Sequence, residues 1–318
     1  MSAVAKGGAV VAAVLASLTG AGCTLEEITL VEAEDVVVGE VYVQVSAGPG
    51  GESRATAWLH RTLEGGSPAS HPVPGAEVLI TSSRGLSLEL ASTSDNTCAW
   101  STPVEGTGTC YATSAEFAGE LEPGDVLEVE IALPGGGLLR GASTVPGDFR
   151  LVTPGAAGRC RVDPLTPLEV RWRASAGAWA YVNETLIAGL GAALAPQGIT
   201  VEKDPLYLLG LAVSASDTTI VFPGEFGLFD RIGLDQGVAL ALQKGLPDQT
   251  AAQVTITAAD RNYVNWVRGG NFNPSGRVKI PSLRGDGTGV FATTVSRRFE
   301  VVAGSVESAP AAQSCIGG

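Results

Sequence analysis

From residue 36 onward, apolar and polar positions alternate in short runs separated by turn residues. Val37, Val41 and Val43 share one parity and Glu40 and Gln44 the other, the period of two that a half-buried strand imposes. Runs at 54–62, 76–81, 86–90, 109–113, 126–133 and 138–144 have the same texture. Between them stand Pro74-Gly75, Arg84-Gly85, Pro123-Gly124 and Pro134-Gly135. Proline presets one turn dihedral and glycine accepts a positive φ, so each pair ends a strand by a defined mechanism. Gly135-Gly136-Gly137 lies between two such runs and predicts a hairpin turn. Seven or so short strands at this spacing predict an antiparallel β-sandwich over 36–155.

Val145-Pro146-Gly147 through Gly155-Ala156-Ala157-Gly158 predicts a boundary, with a second domain over 156–318. Beyond it Leu168, Val170 and Trp172 alternate with Glu169, Arg171 and Arg173, the clearest half-buried strand in the chain. Further strands are predicted at 178–183, 207–213, 218–222, 253–257 and 299–302. One helix is predicted over 261–268, with Asp260 as its N-cap and Gly269 closing it. Its apolar face carries Tyr263, Val264, Trp266 and Val267. The stretch 184–203 stays unassigned, because 186–194 is apolar without a clean period. After Gly304 the tail reads as loose as far as Cys315. The predicted class is mostly β: two antiparallel β-sandwich domains, with one short helix in the second.

A different apolar pattern opens the chain. Lys6 is the only charge before Glu26, and 7–18 is almost wholly Ala, Val and Leu, with Gly20, Ala21 and Gly22 before Cys23. A basic start, an apolar middle and small residues at the end predict a secretory signal over 1–22. The apolar run is shorter than the ~20 residues a spanning helix needs. Gly20-Ala21-Gly22-Cys23 also resembles the lipobox of bacterial lipoproteins, with Gly20 where Leu is usual; in those proteins the cysteine is lipidated and becomes the first mature residue. Both signal peptidases would leave Cys23 first. Residues 23–35 then form an acidic tether. Thr24 in place of Asp lacks the usual retention signal of the inner membrane, so an outer-membrane location is expected.

Cysteine arithmetic sharpens that picture. The chain has five cysteines, an odd number, and an exported protein meets an oxidising compartment. A lipid on Cys23 leaves Cys98, Cys110, Cys160 and Cys315, which can pair completely. Nearest-neighbour pairing is the expectation. Cys98–Cys110 would close a Gly/Thr-rich turn, worth roughly 3 kcal/mol in the chain-entropy model, and Cys160–Cys315 a far larger loop, nominally about 5 kcal/mol. A zinc site is the alternative use, but no Cys-x-x-Cys spacing exists and only His60 and His71 could join it.

Charged residues are 17% of the chain, below the ~25% of an ordinary soluble protein. The net charge is −13, and the chain loses one more positive charge with Lys6. That balance repels phosphate backbones and anionic lipid alike, so no nucleic-acid partner is expected and membrane contact must come through the lipid.

Motifs that would carry chemistry are sparse. A nucleophilic triad would have to use His60 or His71, which flank a polar hairpin loop without a Gly-x-Ser-x-Gly elbow. The sequence has no His-Glu-x-x-His, Walker loop or dinucleotide fingerprint. Gly285-Asp286-Gly287-Thr288-Gly289 invites comparison with a calcium loop, yet it offers one carboxylate and is better read as a turn. Glu225, Asp230 and Asp235 share the segment 223–236 with Phe226 and Phe229, and a carboxylate pair there could serve a glycosidase. No catalytic residue, metal or cofactor is expected from the whole.

Taken end to end, the chain resembles the bacterial outer-membrane lipoproteins grouped as domain of unknown function 4249. The matching pieces are Cys23 with its acidic tether, Val36-Val37-Val38-Gly39-Glu40-Val41, 72–78 (Pro-Val-Pro-Gly-Ala-Glu-Val), Cys110-Tyr111, Pro123-Gly124-Asp125 and Val145-Pro146-Gly147. Further on they are 167–172, Gly177-Ala178-Trp179-Ala180-Tyr181, the helix around Tyr263 and Trp266, and 285–291, close to the family's Gly-Gly-x-Gly-Val-Phe. The resemblance implies an immunoglobulin- or transthyretin-like first domain, a fibronectin-like second one, and an accessory part in uptake beside a TonB-dependent receptor. It carries over no catalytic residues.

Three functions follow as expectations. The first is a lipid-anchored binding or accessory module for an outer-membrane transporter. The second is a carbohydrate-binding or adhesive surface domain using Trp58, Trp100, Trp179 or Trp266 as a platform. The third is a hydrolase built on the carboxylates of 223–236.

Overall fold

In the computed structural model most strands before and after residue 155 belong to one hydrogen-bonded sheet. The structure describes residues 35–47, 53–62, 71–94, 98, 108–113, 117, 121–155, 158–212, 214–225, 234–268, 279–305 and 312–316. The first half supplies β1 (Val37–Ser46), β2 (Arg54–Arg61), β3 (His71–Pro72), β4 (Glu77–Ser82), β5 (Ser87–Thr93), β6 (Thr109–Ala112), β7 (Val126–Ala132), β8 (Leu138–Thr144) and β9 (Leu151–Thr153). The second supplies β10 (Arg159–Val162), β11 (Leu168–Trp172), β12 (Ala180–Ala188), β13 (Leu206–Leu211), β14 (Thr219–Phe222), β15 (Ala251–Ala259), β16 (Leu283–Gly285), β17 (Gly287–Ala303) and β18 (Gln313–Ser314). Among the described residues three α-helices accompany them: α1 (Leu190–Leu194), α2 (Gln236–Leu242) and α3 (Arg261–Arg268).

Pairing runs β1-β2-β6-β5-β4-β7-β8-β16-β17, and β17 pairs back onto β1, so these nine strands close a ring. The mostly-β class is as the sequence predicts. Two features depart from a pair of separate antiparallel sandwiches. The ring recruits β16 and β17 from beyond the predicted boundary, while β9 from before it pairs with β11. Also, β1 and β10 both run parallel to β17, and β18 runs parallel to β10.

β17 makes the fusion possible by its length. Its first part, from Gly287 to Ser296, lies beside β1 and closes the ring. Its later part, from Thr294 to Val302, pairs with β15, which continues through β12 to β13. Residues on β17 from Phe291 to Ser296 are buried without a break, as a strand with protein on both faces must be. Phe291 and Val295 point into the main core with Val41, Leu59, Ile131 and Leu139. Val290 and Ala292 point the other way, into a second apolar layer with Tyr42, Tyr263, Val264 and Trp266. That layer exists because α3 lays its predicted apolar face on the outside of the sheet.

Close backbone approach dictates the glycines at the closure. Gly289 has φ +140°, and a Cβ there would sit 1.9 Å from the Gly39 carbonyl oxygen. Gly285 has φ +133°, and a Cβ there would sit 2.0 Å from the Leu138 carbonyl oxygen. Only glycine tolerates both the dihedral and the contact. The Gly-Asp-Gly-Thr-Gly run is therefore the hem at which β16 and β17 meet β8 and β1. A separate three-stranded sheet, β14-β11-β9, covers the second half. Leu168, Val170 and Trp172 of β11 are buried while Glu169 and Arg171 are exposed, and the Trp172 ring meets Tyr181 of β12 edge-on at 5.2 Å.

Candidate functional site

Cys23, the predicted lipid site, lies outside the described residues, as do the signal and most of the tether. The other four cysteines are joined as Cys98–Cys110 and Cys160–Cys315. Trp58 is buried against the first bridge. A Cβ on Gly108 would come within 2.3 Å of its indole ring, so the backbone at Gly108 lies directly against the indole. The second bridge fastens β18 to β10 and thereby to β17.

The polar side chains singled out by the sequence are taken up by local structure. His60 sits on β2 and His71 on β3, where the two strands form the expected hairpin. Glu225 accepts a hydrogen bond from the Val221 N–H at 2.7 Å. Asp235 caps α2, accepting from the N–H groups of Gly237 (2.8 Å) and Val238 (3.2 Å). Asp230, Phe226 and Phe229 lie outside the described residues. Asp286 accepts from the Leu138 N–H at 2.9 Å across the closure turn. Among the described residues, no three metal-ligating side chains cluster, and no helix is long and apolar enough to cross a membrane.

Two surface features could meet a ligand. The first is a shallow hollow of about 550 Å3 on the outer wall of the ring, floored by Gly141 and Ala142 and bordered by Leu79, Glu128, Glu130 and Arg284. Arg140 crosses it to pair with Glu130 at 2.8 Å. Gly141 is required by close packing: a Cβ there would strike the Ser282 carbonyl at 2.7 Å and the buried Leu283 side chain at 2.8 Å. The second is Trp179, which is 47% exposed at the start of β12. The Arg261 guanidinium lies 5.0 Å from the centre of its ring, a cation–π pair that stiffens an otherwise free aromatic face. Trp266, by contrast, is on the buried face of α3, with Lys279 on its ring at 4.1 Å. Trp100 lies outside the described residues.

The most elaborate polar arrangement is internal. Asp260 begins α3, accepting from the Tyr263 N–H at 2.9 Å. Its other carboxylate oxygen meets Ser143 of β8 at 2.7 Å, and Ser143 meets Thr293 of β17 at 2.8 Å. Thr293 donates to the Thr144 carbonyl at 2.7 Å. Asn262 donates to the carbonyls of Ala142 and Phe291, at 2.7 and 2.9 Å. Burial pushes the Asp260 carboxyl up to about 6, against hydrogen bonds that favour its ionised form. Glu184 of β12 is also raised by burial, although Tyr207 donates to it at 2.8 Å. The sequence identified Asp260 as a cap. It gave no sign that Ser143, 117 residues before it, would meet it, or that Thr293 would join Ser143 from β17.

No protein-family model matches the chain, and no curated protein does. Among solved structures, a tetra-tandem repeat in the extending region of a large adhesion protein aligns over 84% of this chain and 49% of its own, at 10% identity and a TM-score of 0.20. The chain thus spans about half the length of that structure. DIP-gamma IG1+IG2 aligns over 84% of this chain and 99% of its own, at 6% identity and a TM-score of 0.20. Superpositions that loose carry no argument about function.

Proposed function

We propose that this chain is a lipid-anchored, non-catalytic protein of the bacterial cell envelope, an accessory or binding module for uptake across the outer membrane. The observation that carries the reading is the cysteine pairing. Four of the five cysteines are joined to one another, so Cys23 has no cysteine partner left within the chain. A signal-like leader ends at that residue, and disulfides belong to an oxidising, exported setting. The open hollow on the ring wall offers a mixed polar and apolar surface for a partner, for which a TonB-dependent receptor is the choice the family resemblance implies. In this reading the ring is the immunoglobulin- or transthyretin-like part and the β11 layer with its facing sheet the fibronectin-like part.

Intact-mass analysis of the protein from membranes is expected to show a diacyl or triacyl addition on an N-terminal Cys23, and Cys23→Ser to move the protein to the soluble fraction. An unmodified mass, or a Cys23→Ser variant that stays membrane-bound, would sink the anchor. Crosslinking in intact cells followed by detergent extraction tests the partner, and repeated recovery of no outer-membrane receptor counts against the uptake role.

One observation favours a second reading, a carbohydrate-binding or adhesive surface. Trp179 presents a half-exposed ring braced by Arg261, and sugar rings stack on such faces. Binding to a glycan array that vanishes in Trp179→Ala while the melting temperature holds would support it. Equal binding by both proteins would end it.

A further inference from the structure

The cluster at Asp260 contains one more short oxygen–oxygen contact than its hydroxyl groups can fill. Three contacts in series link Asp260 Oδ2 to Ser143 Oγ at 2.7 Å, Ser143 Oγ to Thr293 Oγ1 at 2.8 Å, and Thr293 Oγ1 to the Thr144 carbonyl at 2.7 Å. Each is short enough to require a hydrogen between the oxygens. Ser143 and Thr293 bring one hydrogen each, and a carbonyl and an ionised carboxylate bring none. With Asp260 ionised, Ser143 donates to it and Thr293 donates to the carbonyl, leaving two bare oxygens facing each other at 2.8 Å. With Asp260 protonated, the carboxyl donates to Ser143, Ser143 to Thr293, and Thr293 to the carbonyl. Every contact is then filled.

We propose that this cluster is a proton-operated latch: Asp260 holds the third hydrogen in mildly acidic medium and tightens the seam of β8, β17 and α3, then loses it toward neutral pH and loosens that seam. Among the described residues, charged side chains on the elements packed around Asp260 are engaged elsewhere. Arg140 of β8 is held by Glu130, Arg261 of α3 lies over Trp179, and Arg268 of α3 donates to the Ala212 carbonyl. On β17, Arg297 is bound by Asp148, Arg298 acts on Glu184, and Glu300 faces Arg159. Arg284 of β16 borders the outer hollow, and β15 has no ionisable side chain. Tyr263 on α3 meets Tyr42 on β1 edge-on at 6.2 Å in the apolar layer beneath the helix. Burial pushes the Tyr42 hydroxyl well above its ordinary value, so it stays neutral throughout.

Burial of Asp260 sets the working range. Its folded value of about 6 lies above the ordinary 3.8, so the folded state binds the proton more tightly than the unfolded one. The stabilisation is complete below about pH 4 and is lost as pH rises through about 6.

The test compares the purified full chain with Asp260→Asn, whose amide supplies the third hydrogen at every pH. Melting temperatures are measured from about pH 5 to about pH 8. The wild type is expected to fall across this range, and the variant to show no more than about half of that fall and to melt higher at the alkaline end. Difference infrared spectra at the acid end are expected to show a protonated-carboxylic-acid band in the wild type that the variant lacks. Parallel pH profiles, the absence of that band, or an Asp260→Asn chain that fails to fold would each overturn the latch.

Discussion

The first-half strands meet β17 at two junctions built on opposite principles. At Gly39 of β1 the contact is bare backbone, with Gly39 opposite Gly289 and no side chain between them. Near β8 the contact runs through side chains, Ser143, Thr293 and Asp260, all buried. A junction specified by the absence of a side chain has nothing to titrate, and no substitution can be absorbed there. A junction specified by shared hydrogens tolerates change in degree and answers to the medium. One closes the ring permanently, and the other sets how firmly the ring holds its outer helix.

That contrast can be broken most severely at Gly289. Gly289→Val places a branched side chain on the Gly39 carbonyl at a forbidden dihedral, and a loss above about 4 kcal/mol is expected, with no cooperative urea transition at any pH. A Gly289→Val chain that unfolds cooperatively near the wild-type midpoint would show that the closure is not backbone-limited. Thr293→Val should cost less, about 1–3 kcal/mol in urea titrations, because it strips one hydroxyl from a buried network. Its loss should also be larger at about pH 5 than at about pH 8, since the complete chain of hydrogens exists only in acid. An equal loss at both values would make the second junction as insensitive to pH as the first. Asp235→Ala, which removes the α2 cap and touches neither junction, should cost about 1 kcal/mol in urea titrations. Trp179→Ala should be smallest, within about 0.5 kcal/mol by thermal melting, because its ring is half in solvent.

The ring strands β4, β5, β7 and β8 were legible because one face of each is wet, and the alternation survives in Val126 to Ala132 as exposed and buried residues in turn. The helix α3 was legible to the residue, since Asp260 supplies the cap chemistry and Tyr263, Val264 and Trp266 the face. The front of β17 was not. Val290 to Ser296 is buried on both sides, which erases the period of two and leaves Gly-Thr-Gly-Val-Phe-Ala-Thr-Thr looking like a turn. The stretch 184–203 resisted assignment because two elements abut there: β12 runs on to Ala188, and Gly189, at φ +86°, tips the chain directly into α1. Within the candidate sites, the cysteine pairing followed from spacing. Exposure at Trp179 did not, because its neighbours Ala178 and Ala180 look equally buriable, and only the fold shows that Arg261 shields its ring in place of a core.

The position of β17 near the end of the chain has a consequence for how the protein is made. β1 waits for partners that arrive last: Val37 pairs with Gly287 and Ser46 with Ser296. A chain released N-terminus first can assemble β1-β2-β6-β5-β4-β7-β8 as an open sheet long before those residues emerge. Both of its outer strands then carry unpaired backbone groups, the templates on which wrong chains add. Contacts of such long sequence separation also form slowly. Ring closure thus waits for residues 283–296, and any delay in delivering them prolongs the interval in which β1 and β8 can be captured by a stranger's edge.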